Sequence, residues 1–282
     1  MKRIKTILII LLALCPFARL YSAIPTEEDI KGIATLLNCK SNGRTLIFNN
    51  TDFPDYYTAK DVINYLGSDF TNLCVANFIN LQITTKNHYG ISKTIHIGLS
   101  DFLDSSKRVS IKDHPKAKSV NLTLTAPRYW TEKEGKAPHI VKKYELVANS
   151  NILTYAISIF DAPTFISRRE AQEIFDGINS DKSINIDFEE WFLAEVHDAE
   201  IISKANDNVG AYPAKRIEYT IHATKQGIDI NIYNIAWLIF YEDKIVFLTG
   251  SVMTDDRDEM NMYKNLFCII TNNANFYDIY TE

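Results

Sequence analysis

Apolar and polar positions change their spacing several times along the chain, and each change predicts an element. Ile30, Ile33, Leu36 and Leu37 recur at helical steps behind Thr26 and Asp29, which stand at capping-box spacing. Leu46-Ile47-Phe48 predicts a short strand, and Val62, Ile63, Tyr65 and Leu66 predict a second helix that starts at Thr58. Val75, Phe78, Leu81 and Ile83 among polar neighbours predict a strand over 73–85. Its partner covers 93–97, across the Asn87-His88-Tyr89-Gly90 turn, and a short helical piece covers 99–106.

Beyond a lysine-rich stretch at 107–119 the pattern is dominated by strands. Val120, Leu122 and Leu124 alternate with polar residues. Strands over 140–148 and 152–160 flank Asn149-Ser150-Asn151, and Ser167 with Glu170 caps a helix that carries Ala171, Ile174 and Phe175. Residues 185–191 are ambiguous, and Ile201-Ile202 marks a strand. Three strands follow, over 214–223, 228–241 and 244–252, with turns at Lys225-Gln226-Gly227 and Glu242-Asp243. Met260, Tyr263, Phe267 and Ile270 then give one apolar stripe on a helix over 256–272. Strands joined by tight turns are antiparallel, and a one-striped helix covers a sheet face. The expected fold is α+β: over 118–282 an antiparallel sheet with helices packed on one face, preceded by a smaller α+β region over 24–117.

The first 23 residues follow a different pattern. Lys2, Arg3 and Lys5 precede an uncharged apolar run from Ile7 to Phe17, then Arg19 and a small-residue exit at Ser22-Ala23. This is the layout of a signal peptide, and the run is shorter than the ~20 residues that cross a bilayer. No later segment is apolar enough to span a membrane. The expectation is therefore a bacterial exported protein, periplasmic or secreted, soluble after cleavage.

Composition narrows the classes. The 282 residues are 46% hydrophobic and 23% charged, with only 10 Gly and 8 Pro, which excludes collagenous and disordered chains. Tyr and Phe at 15 each favour sheet. The leader holds four basic residues and no acidic ones, so its removal leaves 26 basic against 35 acidic residues, a net of −9. That balance excludes nucleic acid as the expected partner, because phosphate contacts need basic patches.

Three cysteines follow the leader: Cys39, Cys74 and Cys268. Cys39 and Cys74 either pair, which would stabilise by about 4 kcal/mol through loop-closure entropy, or stay as free thiols. Cys268 reads as a small buried residue of the last helix. No zinc-ligand spacing occurs.

Several segments of 118–282, taken in order, resemble the PsbP/Mog-like fold family, which includes DcrB-like bacterial proteins. They are Leu122-Thr123-Leu124-Thr125-Ala126-Pro127-Arg128-Tyr129-Trp130, then Ile157-Ser158-Ile159-Phe160-Asp161-Ala162-Pro163. Gly210-Ala211-Tyr212-Pro213-Ala214 at a strand start follows, and last comes the final helix through Met260-Asn261-Met262-Tyr263-Lys264-Asn265-Leu266-Phe267. The resemblance implies a mostly non-enzymatic protein that docks on other proteins, with no functional residue set to carry over. Residues 24–117 lie outside it.

Candidate chemistry is sparse. Glu195 and His197 share a strand face, while Asp198 points away. Asp255, Asp256, Asp258 and Glu259 suit a helix N-terminus and lack the spacing of a calcium loop. Nucleophile elbows, phosphate-cradling glycine loops and metalloprotease helices are absent from the sequence. No catalytic residue, cofactor or metal is therefore expected. Trp191, Tyr212, Tyr219, Tyr233 and Trp237 are the candidate docking surface, on the supposition that one sheet face is left uncovered. The expected function is an exported binding or adaptor module for another envelope or secreted protein. The alternatives are a hydrolase with a dispersed site and a structural envelope component.

Overall fold

A computed structural model describes residues 25–49, 58–66, 71, 74, 75, 77–86, 89–104, 107–126, 130–148, 151–177, 192–194, 196, 198–225 and 228–277. The leader and residues 185–191 lie outside the described residues. The architecture is α+β. The chain divides into two compact units, one running to Lys107 and a second that holds Arg108–Ala126, Trp130–Leu146 and the chain from Ile152 onward.

The first unit opens with helix α1 (Glu27–Leu36), where the Thr26 hydroxyl accepts from Asp29 N and the Asp29 carboxylate accepts from Thr26 N. Strands β1 (Lys40–Asn42) and β2 (Thr45–Asn49) form a hairpin. Helix α2 (Ala59–Leu66) carries the chain from β2 to β3 (Asn80–Lys86), which is parallel to β2, and β4 (Ser92–Ile97) returns antiparallel to β3. Helix α3 (Leu99–Asp104) closes the unit. Its core joins Ile30, Ile33 and Ala34 to Leu46, Val62, Ile63, Leu81, Ile97 and Phe102. The Arg44 guanidinium gathers the carbonyls of Pro25, Asn77 and Phe78.

The strand expected over 73–85 begins only at Asn80. Thr71, Cys74 and Val75 are helical, and Phe78 sits at φ +51° where Ile79 N donates to Cys74 O. Cys74, Val75, Phe78 and Ile79 satisfy a helical spacing as well as a strand one, and the helical option prevails.

In the second unit, β5 (Lys107–Ser110), β6 (Leu122–Ala126) and β13 (Asn275–Phe276) make a small sheet in the order β13-β6-β5, with a 3₁₀ turn at Pro115–Ala117. Residues 108–119 of the lysine-rich stretch thus belong with this unit. The main sheet has the order β10-β11-β12-β9-β8-β7. Its strands are β7 (Thr131–Glu134), β8 (Ile140–Ala148), β9 (Asn151–Ile166), β10 (Ala199–Val209), β11 (Tyr212–Lys225) and β12 (Ile228–Met253).

β12 folds back on itself. Its first part pairs with β11 and its second with β9, and Glu242 between them has φ +57°. Glu218 pairs with Ile235 in the first limb and holds Lys264, while Phe267, one helical turn on, lies over Gly250 in the second. The two limbs therefore run side by side, as the Glu242-Asp243 turn predicts.

Helix α4 (Arg168–Phe175), capped by Ser167 and Glu170, packs on one face of this sheet. There Ala171 and Phe175 join Ile217, Tyr219, Ala236, Leu238, Phe240, Ile245 and Phe247. Helix α5 (Arg257–Asn272), capped by Asp256, lies on the opposite face. Leu266, Phe267 and Ile270 are buried along its inner side, each stabilising by about 1.5–3 kcal/mol. Both faces of the central strands are therefore covered.

Candidate functional site

That double cover decides where the sheet aromatics lie. Tyr212 and Tyr219 are each 5% exposed, and Tyr233 and Trp237 are each 1% exposed. These four do not form the open docking face expected of them, because strand alternation sends Tyr219 under α4 and the other three to the α5 face. Tyr219 meets Phe192 edge-on at 5.1 Å. Tyr212 packs at a tilt against Tyr241 and Phe276 beneath the Arg168 guanidinium, 4.1 Å from its ring. Trp191 lies outside the described residues.

Two of the four lead to a polar cluster that the sequence did not single out. The Trp237 indole donates to Asp207 Oδ2 at 3.1 Å, and Arg216 Nη1 donates to the same oxygen at 3.2 Å. The Tyr233 hydroxyl donates to Glu218 Oε2 at 3.1 Å. Ser203 Oγ and Lys264 Nζ both donate to Glu218 Oε1, at 2.8 and 2.6 Å. Register assembles this group: Ser203 lies opposite Glu218, Ala205 opposite Arg216, and Asp207 opposite Ala214, while α5 supplies Lys264 from above. Cys268 sits one turn beyond Lys264, half-buried among the same charges.

The electrostatics follow from these contacts. Burial pushes the Glu218 carboxyl up, but Lys264, Ser203 and Tyr233 outweigh it and hold the group below the ordinary range. Burial pushes the Tyr233 hydroxyl up, and the neighbouring Glu218 charge adds to it. The Cys268 thiol is pushed up by burial, with Arg216 opposing. An ionised carboxylate with three donors is a fixed anchor and a poor proton carrier.

A strand with Ile217, Tyr219 and Ile221 on one side reads as half-buried, which assigns Arg216 and Glu218 to solvent. The available signal was the stripe of α5, whose neighbouring lysine and cysteine fall on the flank over β11.

The other titratable groups are dispersed. His222 lies 3.4 Å from Glu200 and bonds Asn231, which donates to Asp255. Its side chain and that of Glu200 are 58% and 75% exposed, so solvent screens the pair. Glu195 and His197 lie outside the described residues. Asp256 accepts from Asp258 N and Glu259 N as a helix cap. Among the described residues no group of three or more His, Cys, Asp or Glu side chains is placed to hold a metal ion.

The edge beside the polar cluster is β10. It ends the sheet among the described residues, and most of its side chains are exposed, including Ile202 at 51%. Gly210 and Ala211 make the two-residue turn to β11, with Gly210 at φ +60° and Val209 opposite Tyr212. In such hairpins the closing pair is hydrogen-bonded, and alternation then turns the main chain of Asn208, Asn206 and Lys204 outward.

No family profile matches the chain, and no curated protein sequence matches it. The solved structures similar to it include LpqN of Mycobacterium tuberculosis, involved in cell envelope biogenesis. That likeness has 11% identity, covers 64% of this chain and 97% of LpqN, and has a TM-score of 0.37. A protein of Bacteroides thetaiotaomicron VPI-5482 is similar at 10% identity over 62% of this chain and 49% of its own, with a TM-score of 0.32. Values this low assign neither a family nor a function to this chain.

Proposed function

We propose that the protein is an exported, non-enzymatic binding module that takes an extended segment of an envelope or secreted partner along the edge of β10. The observation that carries this reading is the row of outward main-chain groups on an eleven-residue strand that pairs on one side only among the described residues, with the Asn208 N–H alone already donating to a side chain, Asp207 Oδ1. Strand addition draws its affinity from such groups and its specificity from the flanking side chains. The bulge between Ile201 and Ser203 and the exposed Lys204 discourage indiscriminate pairing, which suits a selective edge. Export rests on the charge and apolar layout of residues 1–23. The polar cluster supports binding over catalysis, because donors already hold its buried carboxylate ionised.

Photo-crosslinking tests the reading. A benzophenone side chain at Ile202 or Asn208 should capture a discrete partner in envelope extract, while one at Lys133 on β7 should not. Equal capture at both edges, or none at β10, would overturn it.

A further inference from the structure

We infer that the open side of the sheet in the first unit binds a neutral glycan chain through the side chains of Asn42, Thr45, Asn80, Gln82, Thr94 and His96. The inference is independent of the β10 reading, because it concerns other strands and another class of ligand.

Register gathers these residues on one face. Thr45 stands opposite Asn42 and Asn80, Ile47 opposite Lys40 and Gln82, Gln82 also opposite His96, and Thr84 opposite Asn49 and Thr94. The other face holds Leu46, Phe48, Leu81, Ile83, Ile95 and Ile97, all of them buried. No strand residue of the first face is buried, so no described helix covers it. Neighbouring strands lie ~4.8 Å apart, which makes the face about 14 Å across from β1 to β4, room for a short run of sugar rings.

What the face carries selects the ligand. Its strands place no acidic residue there, and its two lysines, Lys40 and Lys86, stand at the margins. A merely solvated surface mixes charges of both signs, and the chain as a whole is 23% charged. Trp, Tyr and Arg, the anchors of protein interfaces, are missing from these strand positions. Ile47 is the one apolar side chain among them, too little for a lipid surface. Two marginal lysines are too few for a phosphate backbone. The side chains of Asn42, Thr45, Asn80, Gln82 and His96 make no hydrogen bond among the described residues, and the Thr84 and Thr94 hydroxyls bond each other at 3.0 Å. A carboxamide sets an acceptor oxygen beside a donor nitrogen, and each sugar hydroxyl both donates and accepts. One amide therefore engages two adjacent hydroxyls, while Ile47 in the middle of the face meets the C–H side of a ring.

The probes are chitohexaose, cellohexaose and maltohexaose, each titrated into the full chain by calorimetry. At least one should bind, with the same affinity at low and high salt, because a neutral ligand has no charge to screen. Gln82→Leu, which removes the central amide, should weaken that binding about tenfold. Thr94→Val, at an exposed edge position that does not threaten folding, should weaken it a few-fold. Lys112→Gln, in the second unit, should leave it unchanged. No binding by any of the three probes would overturn the inference, as would binding that survives both Gln82→Leu and Thr94→Val. Affinity that falls steeply with salt would overturn the neutral assignment. A benzophenone side chain at His96 that captures a protein from envelope extract while no glycan binds would give the face to a protein partner instead. None of these outcomes touches β10, so the crosslinking at Ile202 and Asn208 is decided separately.

Discussion

Phe267 lies flat on Gly250: a methyl group built on that glycine would fall 2.2 Å from the ring's Cγ. Gly250 is therefore a packing residue, through which the aromatic anchor of α5 reaches the sheet backbone. Phe267 is fully buried and also neighbours the ring of Tyr155, whose hydroxyl bonds Thr271 at 2.8 Å. Gly250→Ala should lower stability by about 1–3 kcal/mol, as overpacking does. Urea unfolding of Gly250→Ala, Phe267→Leu and the double variant should reveal coupling, with the second substitution costing less once the first is present. Additive losses would show that the two residues do not press on each other.

Glu218 makes stability sensitive to acid. Its folded carboxyl titrates below its ordinary value because Lys264, Ser203 and Tyr233 outweigh the cost of burial. A depressed folded value means that the stabilisation is present above the ordinary carboxylate pKa and is lost as pH falls through the folded one. The wild-type chain should therefore lose more stability on acidification into that window than Glu218→Gln does. Thermal melts of both proteins between neutral pH and about pH 3 check this. Parallel curves would place the acid sensitivity elsewhere.

Two buried tyrosine hydroxyls should behave oppositely. Tyr144 is 2% exposed, and its hydroxyl has no hydrogen-bond partner among the described residues, whereas the Tyr233 hydroxyl donates to Glu218. An unpaired buried polar group costs about 1–3 kcal/mol, and a hydrogen bond to a charged group contributes a comparable amount. Tyr144→Phe should leave stability unchanged or raise it, and Tyr233→Phe should lower it. Denaturant midpoints of the two variants give the answer directly.

The thiols should label in an order set by burial. Cys39, Cys74 and Cys268 are all free, so the pairing of Cys39 with Cys74 allowed by the sequence is not made. Burial pushes the Cys39 thiol up to about 11, raises Cys74 further at a fully enclosed site, and raises Cys268. Because the thiolate is the reactive form, all three should react slowly in the native protein. Cys74 should react only after unfolding. Rapid native labelling of Cys268 by a disulfide reagent would contradict its half-buried placement.

The fold was more legible than the site, and the reason is physical. Periodicity reports which residues avoid water, so the α5 stripe and the β11 and β12 strands emerged close to their observed bounds. It does not report what covers the polar side of a strand. Arg216 and Glu218 alternate with Ile217 and Tyr219 as solvent-facing residues would, yet α5 lies over them. The same ambiguity misplaced Tyr212, Tyr233 and Trp237, which suit an exposed aromatic face and a buried one equally well. The cluster depends on the lateral position of Lys264 against β11, a tertiary choice with no local signature. Cys74 to Ile79 failed differently, since a short apolar run satisfies both periods.

The ladder between β9 and β12 has a kinetic consequence. β7, β8 and β9 follow one another in sequence, as do β10, β11 and the limbs of β12, so each set needs only short loops to close. The two sets meet where Ile157 lies opposite Leu248, 91 positions later. Closing that gap incurs its entropy before the ladder repays it, and such non-local pairing slows folding. The two meanders would take shape early and the seam between them late. Until then, the strands flanking the seam are unpaired edges rich in Ile, Val and Leu. A nascent chain is most exposed to misassembly there, in a different part of the sheet from the β10 edge.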